Sequence, residues 1–238
     1  LDRKGWISIF WVSICGGLLG TYFYTKALGY VNYIDLSVVV LIQKLQPLFA
    51  ISLASIILRE KLSKSFVLLA STAILGGYLT TFGNKPFLFL DNKSIIASSF
   101  ALLASFCWGS STVLGKTALK QIPFELVTCI RLIVTGTMAL IIITSSGNFS
   151  DIYSLSIENY KTIIVIVFTS GSIALSIYYY GLQNLAASHT TIYELVWPLS
   201  AVLIDWLIRG KTLSLAQMIG AIILVSSITI LTKENSSE

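Results

Sequence analysis

An all-α integral membrane protein with eight transmembrane helices is the fold class this sequence predicts, on three observations. Hydrophobic residues fill 55% of the 238 positions against 11% charged, and a mean hydropathy of +0.83 is far from that of a soluble domain. Apolar runs of about 20 residues, the length a helix needs to cross hydrocarbon, recur from end to end with only short polar connections between them. These runs are continuously apolar, whereas the strands of a membrane barrel would alternate over about ten residues.

In order, the spans cover residues 6–28, 33–58, 65–83, 94–118, 123–146, 161–183, 189–208 and 214–232. Gly16 and Gly20, four apart in the first, suit close approach of a neighbouring helix. The second reads VVVLIQKLQPLFAI at its middle, placing Gln43, Lys44, Gln46 and Pro47 in hydrocarbon surroundings. FGNKPF (82–87) closes the third, and KQIP (120–123) closes the fourth, with Pro123 suited to the first turn of the fifth. The fifth carries Glu125 where a carboxylate complements the helix dipole and Arg131 about two turns inside, and it ends at SSGN (145–148). The connection 147–161 reads equally as a loop or a short surface helix. The seventh holds Glu194, Trp197 and Pro198, and Asp205 precedes Arg209 at i,i+4 spacing.

The net charge of +5 does not point to nucleic acid, because the basic residues cluster at span ends, as in DRK (2–4), REKLSK (59–64) and RGK (209–211). Eight of them fall on the side of the termini against six opposite, which places both termini in the cytoplasm of a multi-pass cell membrane protein, bacterial inner membrane being expected. Cys15, Cys107 and Cys129 all lie inside spans and read as small packing residues. With a single histidine, His189, no metal site is expected, and with no phosphate-cradling glycine loop, no nucleotide or other cofactor. Asn92-Lys93-Ser94 and Asn148-Phe149-Ser150 match the glycosylation pattern, which is short enough to arise by chance. The first residue is Leu, so the sequence is expected to continue upstream.

The chain also repeats itself. Residues 24–63, from YTKALGY to LREKLS, align with 178–214, from YYYGLQN to RGKTLS. Each copy runs Tyr, two residues, a small residue, Leu, a polar-centred span with one proline, then Leu-Ser. The first carries three extra residues upstream of its proline. Pro47 and Pro198 are five crossings apart, so the copies point in opposite directions through the membrane. Inverted repeats with proline-broken helices at a midplane substrate site are a recurring plan of secondary transporters.

On ALGY with QPLFAISLASIILREKLS, Trp108-Gly109, Arg131, GLQNLA, Trp197-Pro198 and Leu213-Ser214, the whole chain resembles the drug/metabolite transporter superfamily, specifically the EamA-type exporters. It departs from the usual pattern with Gln46 and Trp197 before the repeat prolines, where Glu is frequent, and with RGKTLS where GERLS-like sequence is common. The resemblance implies ten helices in two repeats of five. Residues 1–92 then make a partial first repeat of three spans and 93–238 a complete second repeat of five. The two helices missing from the first repeat suggest a fragment of a ten-span parent.

Lys44 lies near the centre of its span, roughly 15 Å or more from either interface, beyond the reach of snorkelling. Gln43, Lys44, Gln46 and Pro47 share one arc of the helix, and Pro47 implies a kink beside a polar cavity. Alignment on the prolines sets Glu194 opposite Gln43, with Thr190, Thr191 and Trp197 on the same arc, so Glu194 and Lys44 are expected to line one cavity. They serve either as a coupling and binding pair or as an internal ion pair that fixes registry. Arg131 is a candidate anion clamp, and Trp108, Trp197, Tyr178, Tyr179, Tyr180 and Tyr193 are either pocket walls or interface anchors.

The function these observations support is a secondary active transporter that exports small metabolites or amino acids by alternating access, drawing on proton or substrate exchange. The expected solute is an amphipathic small molecule whose anionic group meets Lys44 or Arg131, and lipids are the other partner. A non-transporting membrane subunit is the alternative, which a dry seam between the repeats would favour and a polar central cavity would not. An intramembrane serine hydrolase built from WGSS (108–111) or TSGS (169–172) with His189 is disfavoured, since neither tract has an adjacent base.

Overall fold

The computed structural model describes residues 1–30, 36–83, 92–147, 153, 155–208, 210 and 212–235. In hydrocarbon every backbone amide and carbonyl must be satisfied within the chain, and all eight apolar runs are helical. They form α1 (Arg3–Leu28), the broken pair α2 (Leu36–Gln43) and α3 (Gln46–Leu58), α4 (Lys64–Phe82), α5 (Asn92–Leu119), α6 (Phe124–Ser145) and α7 (Ile157–Asn184). The broken pair α8 (Ala187–Tyr193) and α9 (Val196–Leu207) follows, then α10 (Leu215–Asn235). Among the described residues five helices, α1, α5, α6, α7 and α10, are long and apolar enough to cross a membrane, and α4 adds 19 residues. The chain is a multi-pass membrane protein. Large apolar side chains such as Ile133, Phe168 and Ile177 accordingly face outward.

Boundaries follow local chemistry. Ser63 and Ser156 cap α4 and α7 by accepting from the amides of Phe66 (3.0 Å) and Asn159 (3.3 Å). Pro123 is the N-cap residue of α6 and so stands one position before the first turn expected for it, while Glu125 does occupy that turn. The sixth run starts earlier than its hydropathy suggests, because Ser156 caps a helix that takes in the polar residues 157–161. Within α1 and α7 the stretches Val12–Leu19 and Val167–Ile173 are wound as π-helix. The Asp205–Arg209 pair, the asparagines and serines of both glycosylation patterns, and residues 148–152 and 154 of the 147–161 connection lie outside the described residues and side chains.

Helix α5 is the hub. Buried Val113 packs with Ile9 and Val12 of α1, Ala50 and Ala54 of α3, and Leu182 of α7. Gly16 and Gly20 do let α1 close on it: a Cβ at Gly16 would sit 2.8 Å from Ser111 Oγ, and one at Gly20 2.6 Å from Trp108 Nε1. Helices α4 and α10 touch backbone to backbone, the site of a Cβ on Gly76 being 2.9 Å from Gly220 O. Cys15 and Cys107 are buried as expected, but Cys129 is exposed on α6, on the face turned away from the bundle.

Polar ties hold the ends. Glu60, just after α3, accepts from the amides of Ala187 (2.8 Å) and Ser188 (3.1 Å) and from Ser188 Oγ (2.6 Å), which anchors the start of α8. Lys116 Nζ donates to the carbonyls of Leu182 and Gln183 at the end of α7. Asp2 caps α1, its Oδ1 accepting from Gly5 N and from Gln121 Nε2, both at 2.7 Å. The Gly5 amide, then Gln121, hold the Asp2 carboxyl below the ordinary aspartate range. A carboxyl lowered on folding contributes above its unfolded pKa and loses that contribution as pH falls through the lowered folded value. The Gly5 amide resonance is therefore expected to titrate below about pH 4, and persistence of that step in an Asp2→Asn variant would contradict this assignment.

Candidate functional site

The two broken runs break in the same way. Pro47 has no amide hydrogen, and the chain turns at Lys44 and Leu45 through tightened bonds from Leu45 N to Ile42 O (3.0 Å) and Leu48 N to Leu45 O (2.9 Å). Upstream of Pro198 it turns at Glu194 and Leu195, with Leu195 N to Ile192 O at 3.0 Å and Trp197 N to Glu194 O at 3.1 Å. The kink expected from Pro47 is thus a full interruption, and Lys44 and Glu194 each stand at one. Helix α3 lies against α8, so the interruptions face each other, and Gln46 Nε2 donates to Glu194 Oε2 at 2.6 Å.

A cavity of about 490 Å³ opens where they meet. Gln43, Lys44, Gln46 and Pro47 line it from the first interruption, and Thr191, Tyr193, Glu194 and Trp197 from the second. Tyr24 of α1, Trp108 of α5 and Tyr178 of α7 complete the aromatic wall. A polar chain crosses it: Gln43 Nε2 donates to Gln46 Oε1 (3.1 Å), Gln46 to Glu194, and Tyr178 Oη to the other carboxylate oxygen (3.0 Å). Tyr178 Oη also bonds Thr112 Oγ1 at 2.8 Å. Lys44 Nζ lies 4.2 Å from the centre of the Trp197 ring, a cation–π contact, and is not in ion-pair contact with Glu194. Among the described residues, the buried hydroxyls of Thr191 and Tyr193 have no hydrogen-bond partner, a state that is costly unless solvent or a ligand supplies one.

Arg131 does not line this cavity. It lines a second one of about 270 Å³, with Gly16, Ser111, Tyr179 and Leu175. Arg131 Nη1 donates to Tyr179 Oη at 2.7 Å. The two cavities share Gln46, Trp108, Tyr178 and Glu194 as common walls.

Of the aromatic candidates, Tyr178, Tyr193, Trp108 and Trp197 reach the first cavity and Tyr179 the second, while Tyr180 is exposed on the far face of α7. The Pro198 side chain lies outside the described ones. Sequence reasoning did not single out Tyr24, Thr112 or Ser111 of WGSS as cavity residues. Tyr24 had a signal, since it heads the copy in which Tyr178 heads the other. The serine tracts are spent on their own helices, Ser110 and Ser111 on Cys107 O and Ser170 on Ile166 O, and His189 packs on Phe66 with ring centroids 4.8 Å apart.

The EamA-like transporter family model matches residues 1–82 and 95–233. This chain belongs to the EamA-like transporter family. It is therefore a membrane transporter and not an enzyme. It is 39% identical over 236 residues to the riboflavin transporter ImpX of Fusobacterium nucleatum, a match covering 99% of this chain and 79% of that protein. It is 28% identical to the uncharacterized transporter sll1164 of Synechocystis, covering 94% of this chain but only 65% of that one. A solved protein structure superimposes with a TM-score of 0.71 at 17% identity, covering 94% of this EamA-like chain and 75% of the other, a likeness of fold alone.

Proposed function

We propose that this EamA-like chain carries a flavin, riboflavin in the first instance, across the membrane by alternating access about the two adjoining cavities. The observation that carries this reading is the aromatic-walled cavity at the meeting of the two helix interruptions. Its volume falls within the ~300–1,000 Å³ of small-molecule sites. Trp108, Trp197, Tyr24 and Tyr178 offer faces on which a flat tricyclic ring can stack, and Gln43 and Gln46 offer amides that match a ring edge bearing both N–H and C=O. The similarity to a riboflavin transporter supports the same solute class. A neutral flavin takes the place of the anionic solute that Lys44 and Arg131 suggest, since Glu194 supplies a balancing carboxylate to both cavities.

In this reading residues 1–92 and 93–238 are inverted units that rock about the interruptions, and Glu194 carries the coupling proton. The termini are cytoplasmic, the membrane is a bacterial inner membrane, and the direction is export. A polar cavity also argues against a dry, non-transporting subunit. The test is flux of riboflavin in vesicles of both orientations, combined with quenching of riboflavin fluorescence by the purified protein. Saturable quenching with net flux supports the reading; neither signal above that of empty vesicles sinks it, and flux only in the import direction overturns export alone.

A further inference from the structure

We propose that the second cavity is a separate subsite for the hydroxylated side chain of the substrate, with Arg131 and Ser111 selecting solutes that carry such a chain over those that are ring alone. This rests on the flavin reading above and assigns its two chemical parts to two places.

The first cavity is walled by aromatic rings and the second mostly is not, and Gln46, Trp108, Tyr178 and Glu194 line both, so the two adjoin across one set of side chains. Each hydroxyl of a polyol both donates and accepts, and it needs a wall of mixed character. The second cavity supplies one. Arg131 is donor only, and Tyr179 Oη is its one acceptor among the described contacts. Ser111 Oγ commits its proton to Cys107 O at 2.6 Å, which leaves its lone pairs as acceptors. Tyr179 Oη receives from Arg131 and keeps its own proton to give. Glu194 and Gln46 add acceptor oxygens. A phosphate, which only accepts, would be drawn by Arg131 but set against the Glu194 carboxylate in the same small space.

Gly16 lines the same cavity, and a Cβ there would sit 2.8 Å from Ser111 Oγ and 3.1 Å from Arg131 Nη2, so any larger residue at this position would displace the two polar groups. An arginine this deep in a membrane bundle is also expected to face water or a ligand that uses its remaining donors.

The experiment compares riboflavin, lumiflavin (the ring with a methyl in place of the ribityl chain) and riboflavin 5′-phosphate by fluorescence quenching, in the intact protein and in Arg131→Met and Ser111→Ala. The intact protein is expected to prefer riboflavin to lumiflavin by about tenfold or more, the worth of a hydrogen bond to a charged group. Arg131→Met is expected to collapse that ratio toward one, and Ser111→Ala, which leaves the Arg131–Tyr179 contact intact, to lower it about threefold. Lumiflavin binding in the variants reports that the ring cavity is still formed. An unchanged ratio in both variants overturns the subsite, as does binding of the phosphate ester as tight as that of riboflavin. Failure of the intact protein to bind any of the three overturns the flavin reading itself and the subsite with it.

Discussion

Glu194→Gln is expected to lower riboflavin transport about tenfold or more while leaving the protein folded. Both oxygens of the Glu194 carboxylate are engaged by donors, Gln46 Nε2 at 2.6 Å and Tyr178 Oη at 3.0 Å. A glutamine offers one acceptor oxygen and turns a donor toward the other partner. That conflict is relieved if Gln46 flips its amide, which passes the disturbance to Gln43, or if Tyr178 accepts from the new amide and turns its proton to Thr112 Oγ1. The substitution also removes the carboxylate facing Lys44 across the cavity, a group suited to carry a proton between neutral and charged forms. The measurement is counterflow, which needs no driving force, beside uptake driven by a proton gradient. Loss of the driven flux with retention of some exchange is the expected pattern. Equal driven flux in the variant and the parent would remove Glu194 from the mechanism.

Gly220→Val is expected to give the largest loss of stability, about 3 kcal/mol or more, because the space it needs is already filled by atoms that cannot rotate away. A Cβ at position 220 would lie 2.6 Å from Leu79 Cβ and 2.8 Å from Gly76 O, both on the facing helix α4. The contact binds α4 to α10 along with the Thr72–Ser227 hydroxyl pair at 3.1 Å, and Leu224 beneath it packs with Ile192 and Leu195 at the second interruption. Gly136→Ala is the control, since a Cβ there meets nothing within 4 Å. Thermal unfolding in detergent should show a marked fall for Gly220→Val and little change for Gly136→Ala; equal melting of the two would refute backbone contact as the basis of this packing.

Hydropathy alone located the helices, since a run with no internal alternative for its backbone groups has to be helical in lipid. Alignment on the two prolines set Glu194 opposite Gln43, and in the structure Glu194, Gln43 and Lys44 line one cavity. Orientation around each helix was less legible. Tyr179 and Tyr180 are adjacent and chemically identical, yet one is buried against Arg131 and the other faces outward, a difference set by which helices lie beside α7. Cys129 was misread for the same reason. Glu60 looked like part of a basic loop, and its bonds to Ala187 and Ser188 join residues 127 and 128 positions apart, a relation no local pattern encodes. Lys44 was expected to share a cavity with Glu194, and within that cavity its ammonium is held over the Trp197 ring.

The π-wound stretches of α1 and α7 have a consequence for phase. A hydrogen bond spanning five residues takes in one residue more than a regular turn, so everything beyond it is rotated by about 100° relative to an unbroken α-helix. Tyr24 follows Val12–Leu19 and Tyr178 follows Val167–Ile173, and both line the same cavity. Each tyrosine therefore points inward only because its helix carries one supernumerary residue upstream. Deleting a single residue from either stretch would let it close into a regular α-helix with every later side chain still aimed at its present neighbour, whereas winding the full sequence as unbroken α-helix would turn all of them away.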